Sequence, residues 1–533
     1  HKEYRRQRQM CIRDRSRSHA KSRTNNIKSV TNLNAAIVLA AGEGKRMNSA
    51  TPKVLHQICG APILGHVLNT LKELKPQQNV VVIGHQKELV KNYLDQDFKK
   101  IQTVVQTKQK GTGHAVQTAL AAMKNVKGLV LVMAADTPLL TSETLNQLVK
   151  AAKITKAAVL TADLPDATGY GRVVKEDSKI LRIVEHADAS DEELEITEIN
   201  TGVYVFDAEI LKNAVTKLGS NNKQGEIYLT DVVEVLNSQN ENVTAVVCEN
   251  YVEALGINDQ AQLAIAQQIK QQQINESWML HGVSMRNPES IIIDLTVSLD
   301  SDVHLESNTQ LLGTTSISAG STIGPDTYLK DCEVGQNSQV LKTTGIEAKI
   351  GNNAQVGPYT YLRPGTKLKD GTKAGAYVEI KNSTIGEGSK VPHLSYVGDA
   401  TIGIESNIGA ATVFVNYDGV EKHKTVVGDF VKIGSDTMLV APVKIGDGAY
   451  TAAGSVITEN VPAGALGVER TKQRNIEGWV ARKRPNSKYV KSQKKTAKKS
   501  TKKKVKTTKK ATKVSKTKSN KAKRPTRSNK KKK

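Results

Sequence analysis

Long hydrophobic runs are missing from this sequence of 533 residues. No apolar stretch reaches the about 20 residues that cross a bilayer as a helix, and the N-terminal region lacks the apolar core of a signal peptide. We therefore expect no membrane span, no secretion and a cytoplasmic location.

Cysteines and aromatic residues are also scarce. Cys11, Cys59, Cys248 and Cys332 are far apart and lack the paired spacing of metal ligands. Their spacing excludes a disulfide framework and indicates no zinc site. Aromatic residues make up only 4% of the chain, so a core built mainly from Ile, Val and Leu is predicted.

Acidic residues are absent from residues 482–533, which contain 26 Lys and Arg. Residues 1–34 are basic too, so the net charge of +25 comes from the two ends, and the body between them is mildly acidic. A basic nucleic-acid-binding body is thereby excluded. The Lys-rich tail is a candidate for weak, salt-sensitive binding of polyanions, and a solvated tail without a ligand is the alternative.

Both ends lack hydrophobic periodicity. We interpret residues 1–34 as a doubtful, disordered basic segment that reflects a misplaced start or an assembly error, with a targeting arm as the alternative. Residues 481–533 lack core-forming residues, and we predict that they are disordered.

A six-residue repeat runs through residues 317–456, with phrases such as IGNNAQ, VGPYTY and IGEGSK. Each phrase starts with an aliphatic residue and continues with small or polar ones. A period of six is too short for a helical repeat, so each phrase is predicted to form one short strand and a turn of a parallel β-helix. Scattered Gly-rich turns in an ordinary β domain are the alternative. The repeat resembles that of the left-handed β-helix of hexapeptide-repeat acyltransferases.

A different pattern precedes the repeat. Apolar runs typical of buried parallel strands alternate with amphipathic stretches, and they lie at residues 35–39, 80–83, 129–133, 157–160 and 202–206. This alternation predicts a doubly wound α/β domain over residues 35–258. A turn-free, Gln-rich segment then predicts a linking helix over residues 259–280, and the β-helix is expected to occupy residues 281–480.

The first apolar run is followed by the Gly-rich turn LAAGEGKRM. Small residues let backbone N–H groups approach a triphosphate, and Arg46 and Lys53 are placed to neutralise its charge. The segments AIVLAAGEGKRM and PKVLH resemble the opening of sugar-nucleotide pyrophosphorylases. Residues 35–480 as a whole resemble the bacterial bifunctional N-acetylglucosamine-1-phosphate uridyltransferase/glucosamine-1-phosphate N-acetyltransferase family.

The resemblance implies a uridyltransferase site in the α/β domain. The positions implied to contact UTP are Leu39, Ala40, Gly42, Arg46, Lys53, Gln106, Gly111 and Thr112. Those implied to hold N-acetylglucosamine 1-phosphate are Gly171, Glu185 and Asn200. Asp136 and Asn258 are the implied Mg²⁺ ligands. Taken singly, each has a structural alternative, such as a cap for Asp136 or a turn for Asn200.

The implied reaction needs no nucleophilic side chain. A sugar phosphate oxygen attacks the α-phosphorus of UTP, and the protein positions the reactants while Arg, Lys and Mg²⁺ offset negative charge. The sequence departs from the family at Lys45, where a small hydroxyl residue is usual, and at Ala135, where Gly is usual. We expect any loss of rate from these departures in the uridyltransferase half.

The β-helix carries the implied acetyltransferase site, in the motifs LRPG, VEIK, PHLSY and VNYDG. An amine that attacks a thioester must lose a proton, and His393 is the candidate general base. A merely solvated His is its structural alternative. The resemblance implies that Arg363 and Lys381 bind the sugar phosphate and that Tyr396 and Asn407 orient the sugar. The implied acetyl-CoA contacts are Ala410, Asn416, Tyr417, Ser435, Ala453 and Arg470.

The β-helix has one further departure from the family pattern, and an oligomeric state is expected for the chain. Ala411 replaces the second Gly of the family's Gly-Ala-Gly and adds a methyl group near the coenzyme. A homotrimer is expected, since related solenoids close their sites between subunits. The alternative function is a single-activity sugar-phosphate nucleotidyltransferase whose β-helix is only structural or regulatory.

Overall fold

The computed structural model describes residues 33–177 and 179–497. The predicted basic segment of residues 1–34 therefore lies almost wholly outside the described residues, and so does the tail from residue 498. The chain divides into two compact units, residues 1–468 and residues 469–533. The first unit contains an α/β domain and a parallel β-helix.

The α/β domain is built on one nine-stranded mixed sheet and one small hairpin. The strands of the domain are β1 (Leu33–Ala40), β2 (Gln57–Ile58), β3 (Ala61–Pro62), β4 (Gln78–Ile83), β5 (Gln102–Val105), β6 (Leu129–Ala134), β7 (Ala157–Asp163), β8 (Arg172–Glu176), β9 (Lys179–Val184), β10 (Glu198–Asp207) and β11 (Thr244–Val247). Strands β2 and β3 form a separate hairpin, and the others follow the order β11-β7-β10-β6-β1-β4-β5, with β8 and β9 branching from β10. Strands β1, β4, β5 and β6 are parallel, as the buried apolar runs predict.

Helices cover both faces of this sheet, and two separate apolar clusters contact its opposite sides. The helices are α1 (Ile63–Leu74), α2 (Lys87–Asp97), α3 (Thr112–Ala122), α4 (Ser142–Thr155), α5 (Asp191–Leu194), α6 (Ala208–Val215) and α7 (Val232–Ser238). Short 3-10 turns occur at Lys45–Met47, Lys53–Leu55, Tyr251–Ala254 and Pro288–Ser290. The predicted doubly wound α/β fold is confirmed.

The β-helix has three faces, each a ladder of short parallel strands. The first face contains Ser284–Met285, His304–Leu305, Thr322–Ile323, Gln339–Val340, Gln355–Val356, Lys373–Ala376, Lys390–His393, Asn407–Ile408, Lys432–Ile433, Tyr450–Thr451 and Leu466–Gly467. The second contains Ile292–Ile293, Thr309–Leu312, Thr327–Lys330, Thr343–Ile346, Thr360–Leu362, Glu379–Lys381, Tyr396–Gly398, Val413–Val415, Met438–Val440 and Val456–Ile457. The third contains Ser298–Leu299, Ser316–Ile317, Glu333–Val334, Lys349–Ile350, Lys367–Leu368, Thr384–Ile385, Ala400–Ile402, Thr425–Val427 and Val443–Ile445. This architecture confirms the predicted hexapeptide-repeat β-helix.

The aliphatic residue of each phrase fills the interior of the β-helix. Ile323 pairs with Val340, Val340 pairs with Val356, and all three are buried in one continuous core. Buried hydroxyls link successive coils around this core. Ser338 Oγ donates to the Gly351 carbonyl at 2.7 Å and accepts from the Ala354 amide at 3.0 Å. Small polar residues of the repeat therefore satisfy backbone groups inside the stack.

Helix α8 (Gln260–Leu280) joins the α/β domain to the β-helix. Its Gln267 Oε1 accepts the Cys59 amide at 2.8 Å on the α/β side. On the β-helix side, the buried Asn275 side chain donates to the carbonyls of Pro288 and Ile291 at 2.9 and 3.0 Å. The polar residues of α8 therefore bond to both domains, which explains why this helix is rich in Gln rather than in aliphatic residues.

The second unit contains helix α9 (Trp479–Lys483) and a helical stretch at residues 488–497. Lys, Gln and Ala favour helix in this stretch, and the disorder expected for residues 481–533 stays a prediction. Among the described residues, no helix combines the length and apolar character needed to cross a bilayer.

Two candidate active sites

A cavity of about 570 Å³ opens at the carboxyl ends of β1 and β6. Ligands bind at this edge in open α/β sheets, because the loops that follow the strands converge there. Most of the residues predicted to contact UTP and the sugar phosphate line this cavity: Leu39, Ala40, Gly42, Lys53, Gln106, Gly111, Thr112, Asp136, Glu185 and Asn200.

Three other predicted residues do not line the cavity. Arg46 is exposed in the 3-10 turn Lys45–Met47. Gly171 contacts the cavity-lining residue Asn200, because its carbonyl accepts the Asn200 backbone amide at 2.9 Å. Asn258 contacts a residue of the cavity wall, because Lys53 Nζ donates to Asn258 Oδ1 at 3.0 Å.

The Lys53 ammonium also lies 2.6 Å from Asp136 Oδ2. A carboxylate oxygen and an amide oxygen therefore converge on one point that a cation occupies. Such hard oxygen ligands suit Mg²⁺, which completes its shell with phosphates and water. No group of three or more His, Cys, Asp or Glu within residues 33–177 and 179–497 forms a self-sufficient metal site. The residues thus fit a metal that is held jointly with the substrate.

Glu185 forms the opposite wall of the cavity. Burial raises the pKa of its carboxyl, although a hydrogen bond from Thr230 Oγ1 at 3.2 Å acts in the other direction. Burial likewise raises the pKa of Tyr204, which lines the same wall. A hydroxyl group that donates to the half-buried Glu185 carboxylate would replace hydration that the carboxylate loses on folding.

The structure adds lining residues that sequence reasoning missed. Gln109 Nε2 donates to the Ala41 carbonyl at 2.8 Å and so ties two loops of the cavity together. Thr230 and Glu226 come from the segment before α7. Gln109 lies within the segment QTKQKGTGHA that indicated the uracil site, whereas nothing in the sequence around Thr230 distinguishes it from an ordinary turn.

The two departures from the family pattern have different surroundings. The Lys45 side chain is 80% exposed and pairs with Glu43 at 3.0 Å, so its charge is already partly offset. Ala135 is buried, and its amide donates to the Leu39 carbonyl at 3.0 Å. Because Ala135 also lines the cavity, its methyl group takes up space beside the Gly-rich turn after β1.

The second candidate site lies on the β-helix. Arg363 pairs with Glu379 at 2.8 Å, and Lys381 with Asp399 at 3.4 Å. Tyr396 stands one coil above Glu379 in the ladder of the second face. The structure thus brings the predicted residues Arg363, Lys381 and Tyr396 together on adjacent coils.

Asp399 organises this region and was not predicted from the sequence. Burial alone would raise the pKa of the Asp399 carboxyl, yet hydrogen bonds from Asn382 and Asn416 and the Lys381 ammonium hold it below its ordinary value. Asn382 Nδ2 donates to Asp399 Oδ1 at 2.6 Å, and Asn416 Nδ2 donates to Oδ2 at 2.5 Å. The carboxylate thereby fixes the start of the loop that follows Asn416.

His393 ends the first-face strand Lys390–His393 and is exposed. It pairs with Ala376 of the coil below, and its carbonyl accepts the Ala411 amide at 3.3 Å. The ring therefore projects from a rigid coil toward solvent. Asn407 lies on the next coil of the same face, where it pairs with Lys390.

The segment of residues 416–424 leaves the repeat between two strands of the β-helix. Tyr417 is exposed, and its hydroxyl donates to the Gly419 carbonyl at 2.7 Å. The Lys381 ammonium lowers the pKa of Lys422 in this loop. Two neighbouring ammonium groups of this kind favour binding of an anion such as a phosphate.

Three of the predicted acetyl-CoA residues, Ala410, Ser435 and Ala453, form a column on successive coils. The Asp436 amide donates to the Ala410 carbonyl at 2.7 Å, and the Gly454 amide donates to the Ser435 carbonyl at 2.9 Å. Asn416 and Tyr417 lie instead in the loop of residues 416–424. Arg470 belongs to the second unit.

Comparisons with known proteins agree with an α/β domain followed by a hexapeptide-repeat β-helix. Residues 36–192 match the MobA-like NTP transferase domain, and residues 424–459 match the bacterial transferase hexapeptide (six repeats). The bifunctional protein GlmU of Streptomyces avermitilis is 51% identical over 86% of this chain and 96% of its own length. The bifunctional GlmU proteins of Thermobifida fusca and Corynebacterium diphtheriae are 50% and 47% identical, each over 85% of this chain and 95% of their own length.

Proposed function

The chain belongs to the family of bifunctional GlmU proteins, and from that premise we propose which residues carry its two reactions. The enzyme is a glucosamine-1-phosphate N-acetyltransferase and a UDP-N-acetylglucosamine pyrophosphorylase. It acetylates glucosamine 1-phosphate and then transfers UMP to N-acetylglucosamine 1-phosphate. The observation that supports the assignment of residues is that Lys53 and Asp136 line one cavity with Glu185 and Asn200, while Asn258 bonds to Lys53 from beside it.

In the uridyltransferase site, UTP lies against the Gly-rich turn after β1. Leu39, Ala40 and Gly42 face its base and phosphates, and Gln106 and Gly111 face the uracil. Lys53 and Arg46 stabilise the negative charge that grows on the phosphates as the sugar phosphate oxygen attacks. Asp136 and Asn258 would hold Mg²⁺, which supplies further charge stabilisation when bound.

The N-acetylglucosamine moiety lies against Glu185 and Asn200. The buried carboxylate of Glu185 accepts from a sugar hydroxyl, and the Asn200 amide donates or accepts beside it. These contacts orient the sugar phosphate toward the α-phosphorus of UTP, which is the main contribution that this reaction needs from the protein.

In the acetyltransferase site, His393 accepts the proton of the attacking amine. Arg363 and Lys381, with Lys422 beside them, bind the phosphate of glucosamine 1-phosphate. The exposed ring of Tyr417 and the column of Ala410, Ser435 and Ala453 face acetyl-CoA, the proposed acetyl donor. We assign Asn416 to positioning through Asp399.

The active assembly is proposed to be a homotrimer. Several large apolar side chains of the β-helix are exposed in the single chain, among them Tyr359, Tyr377 and Leu394. A partner subunit that covers them would also close the open site around His393. Light scattering should give three times the mass of one chain, and a monomeric mass with full acetyltransferase activity would contradict the proposal. A cytoplasmic location stays a prediction.

The assignment is tested by measuring both half-reactions in His393→Ala, Asp136→Ala and the control His304→Ala, which removes a half-buried His on the same face of the β-helix, five coils before His393. We expect His393→Ala to abolish thiol release from acetyl-CoA and to spare pyrophosphate release. Asp136→Ala should do the reverse. Loss of both activities in either variant, or normal thiol release in His393→Ala, would refute the assignment.

A second candidate function concerns the basic tail. Described residues at its start, Arg482, Lys483 and Arg484, are exposed, and no acidic residue occurs from residue 482 onward. We propose weak, sequence-independent polyanion binding. Removal of residues 482–533 should abolish the retention of mixed-sequence DNA at low salt, and equal retention with and without the tail would end the idea.

A further inference from the structure

The loop of residues 416–424 contains a pair of side chains that neither proposed reaction uses. His423 Nε2 lies 2.7 Å from Asp418 Oδ2, and because a carboxylate only accepts, the ring is the donor. The other oxygen, Asp418 Oδ1, accepts the backbone amides of Val420 and Glu421 at 2.8 and 2.7 Å. These three bonds, with that of the Glu421 amide the largest, hold the pKa of the Asp418 carboxyl well below its ordinary value. One carboxylate therefore binds three donors from the second half of the loop.

The backbone closes the same loop at its base. The His423 amide donates to the Asn416 carbonyl at 2.8 Å, and Tyr417 pairs with Lys422 in an antiparallel bridge. The side chain of Asn416 is in turn held by Asp399 of the β-helix. The position of Lys422 is therefore fixed from two directions, by its bridge to Tyr417 and by the neighbouring His423.

Lys422 is held close to another cation. A hydrogen bond and the charge of Lys381 lower the pKa of Lys422, which requires the two ammonium groups to be near each other. Lys381 shares the carboxylate of Asp399 at 3.4 Å, whereas Lys422 forms no ion pair within residues 33–177 and 179–497. Like charges in contact repel each other. Other bonds must therefore hold the loop in this position, and Asp418 and His423 supply them.

We propose that His423 and Asp418 are positioning residues that hold Lys422 at the phosphate of glucosamine 1-phosphate. The inference rests on the proposed acetyltransferase site, in which Arg363 and Lys381 bind that phosphate. Without the pair, repulsion from Lys381 would move Lys422 away, and the substrate would have to order the loop when it binds. Such ordering weakens binding. Because the pair acts through Lys422 and not on the reacting amine, its loss should affect substrate binding rather than acetyl transfer itself.

The test measures thiol release from acetyl-CoA at varied glucosamine 1-phosphate with the full chain. His423→Leu should raise KM for glucosamine 1-phosphate about tenfold, as expected for loss of one charge-assisted hydrogen bond, and leave kcat within about twofold. His423→Gln, whose amide donates in place of the ring, should keep KM within about threefold. The matched control is His304→Leu, which removes another pair of this kind, since His304 Nε2 lies 3.3 Å from Glu306 Oε1. It should leave KM unchanged.

A double variant distinguishes positioning from direct contact with the substrate. Lys422→Met should itself raise KM for glucosamine 1-phosphate about tenfold. If His423 acts only through Lys422, the double variant Lys422→Met/His423→Leu should have the KM of Lys422→Met alone. Increases that add up would overturn the inference, because they would mean that His423 binds the substrate independently.

Three other results would overturn the inference, and a melting curve of each variant verifies folding. An unchanged KM in His423→Leu, with a raised KM in Lys422→Met, would refute the positioning role and leave the proposed phosphate site intact. An unchanged KM in Lys422→Met would refute both the positioning role and the place of Lys422 in that site. A raised KM for acetyl-CoA alone in His423→Leu would show that the pair orders Tyr417 instead.

Discussion

Ala411 holds a backbone conformation that suits glycine. Its φ is +59°, in the left-handed region, where an L-residue with a side chain is strained by about 1–2 kcal/mol. It is also the position where the family usually has Gly. The methyl group that distinguishes this sequence is therefore a cost to stability, whatever its effect on the coenzyme.

We expect Ala411→Gly to stabilise the β-helix by about 1 kcal/mol, because the strain is relieved. Urea unfolding checks this. The adjacent Ala410→Gly is the control: Ala410 is not among the residues with positive φ, so its replacement should lower stability by about 0.5–1 kcal/mol. Equal effects of the two substitutions would contradict the explanation.

Glu185 gives a prediction about pH. Its pKa is raised above 4.5 in the folded state by burial, so the folded protein pays for keeping the carboxylate charged at neutral pH. Glu185→Gln should therefore raise the melting temperature at pH 8. The gain should shrink as the pH falls through the raised pKa and vanish below the ordinary value. A gain that is the same at pH 8 and pH 4 would contradict this.

For single residues, the sequence predicts a place in the site where the residue belongs to a contiguous motif. Lys53 and Asp136 follow the strand ends where the motifs place them, and they meet in the structure. Asp399 was missed because it follows a Gly at an ordinary corner of the repeat, and only the stacking of coils brings Asn382 and Asn416 to its two oxygens. Contacts between residues of successive coils depend on coil length, which the loop of residues 416–424 alters.

At the scale of elements, α8 is the least typical helix. It has no continuous apolar stripe, and Asn275 is buried among backbone carbonyls of the first coil. The sequence indicated a helix here, since turn residues are absent. It did not indicate the bonds to Cys59 and Ile291, because these join segments that are distant in the chain.

Asn275→Leu should destabilise the protein by about 2 kcal/mol, since the carbonyls of Pro288 and Ile291 lose their donor in a buried place. The control is Gln268→Leu, at an exposed position of the same helix, and it should change stability by less than about 0.5 kcal/mol. Urea unfolding followed by circular dichroism measures both. Similar losses of stability in the two variants would contradict this explanation, because they would show that any loss of a polar side chain from α8 destabilises the protein.

The corners of the β-helix carry several residue types. Gly and Asn enter the left-handed region most readily, and Asn337 and Asn353 occupy such corners with φ of 55° and 54°. Other corners carry Tyr359, Tyr377 and Leu394 in the same conformation. Tyr359 and Tyr377 stack with ring centres 5.2 Å apart. Contact between side chains of adjacent corners offsets some of the backbone strain there.

At the scale of the molecule, two sites on separate domains should respond separately to metal removal. We propose that Mg²⁺ is held by Asp136 and Asn258 together with the substrate phosphates, whereas the proposed acetyl transfer uses His393 as its base. Excess EDTA should therefore abolish pyrophosphate release and leave thiol release within about twofold, as expected where general-base catalysis by His393 needs no metal. Thiol release that falls in step with pyrophosphate release would contradict this separation.

The order of the coils has a consequence for how the protein is made. Each strand of the β-helix pairs only with the coils before and after it, and α8 bonds to the first of them. Chains grow from the N-terminus on the ribosome, and domains fold as they emerge. The α/β domain and α8 are therefore complete before the first coil appears, and each finished coil is a template for the next. A substitution that prevents a coil from forming near residue 300 should therefore leave far more of the following coils unfolded than one near residue 440.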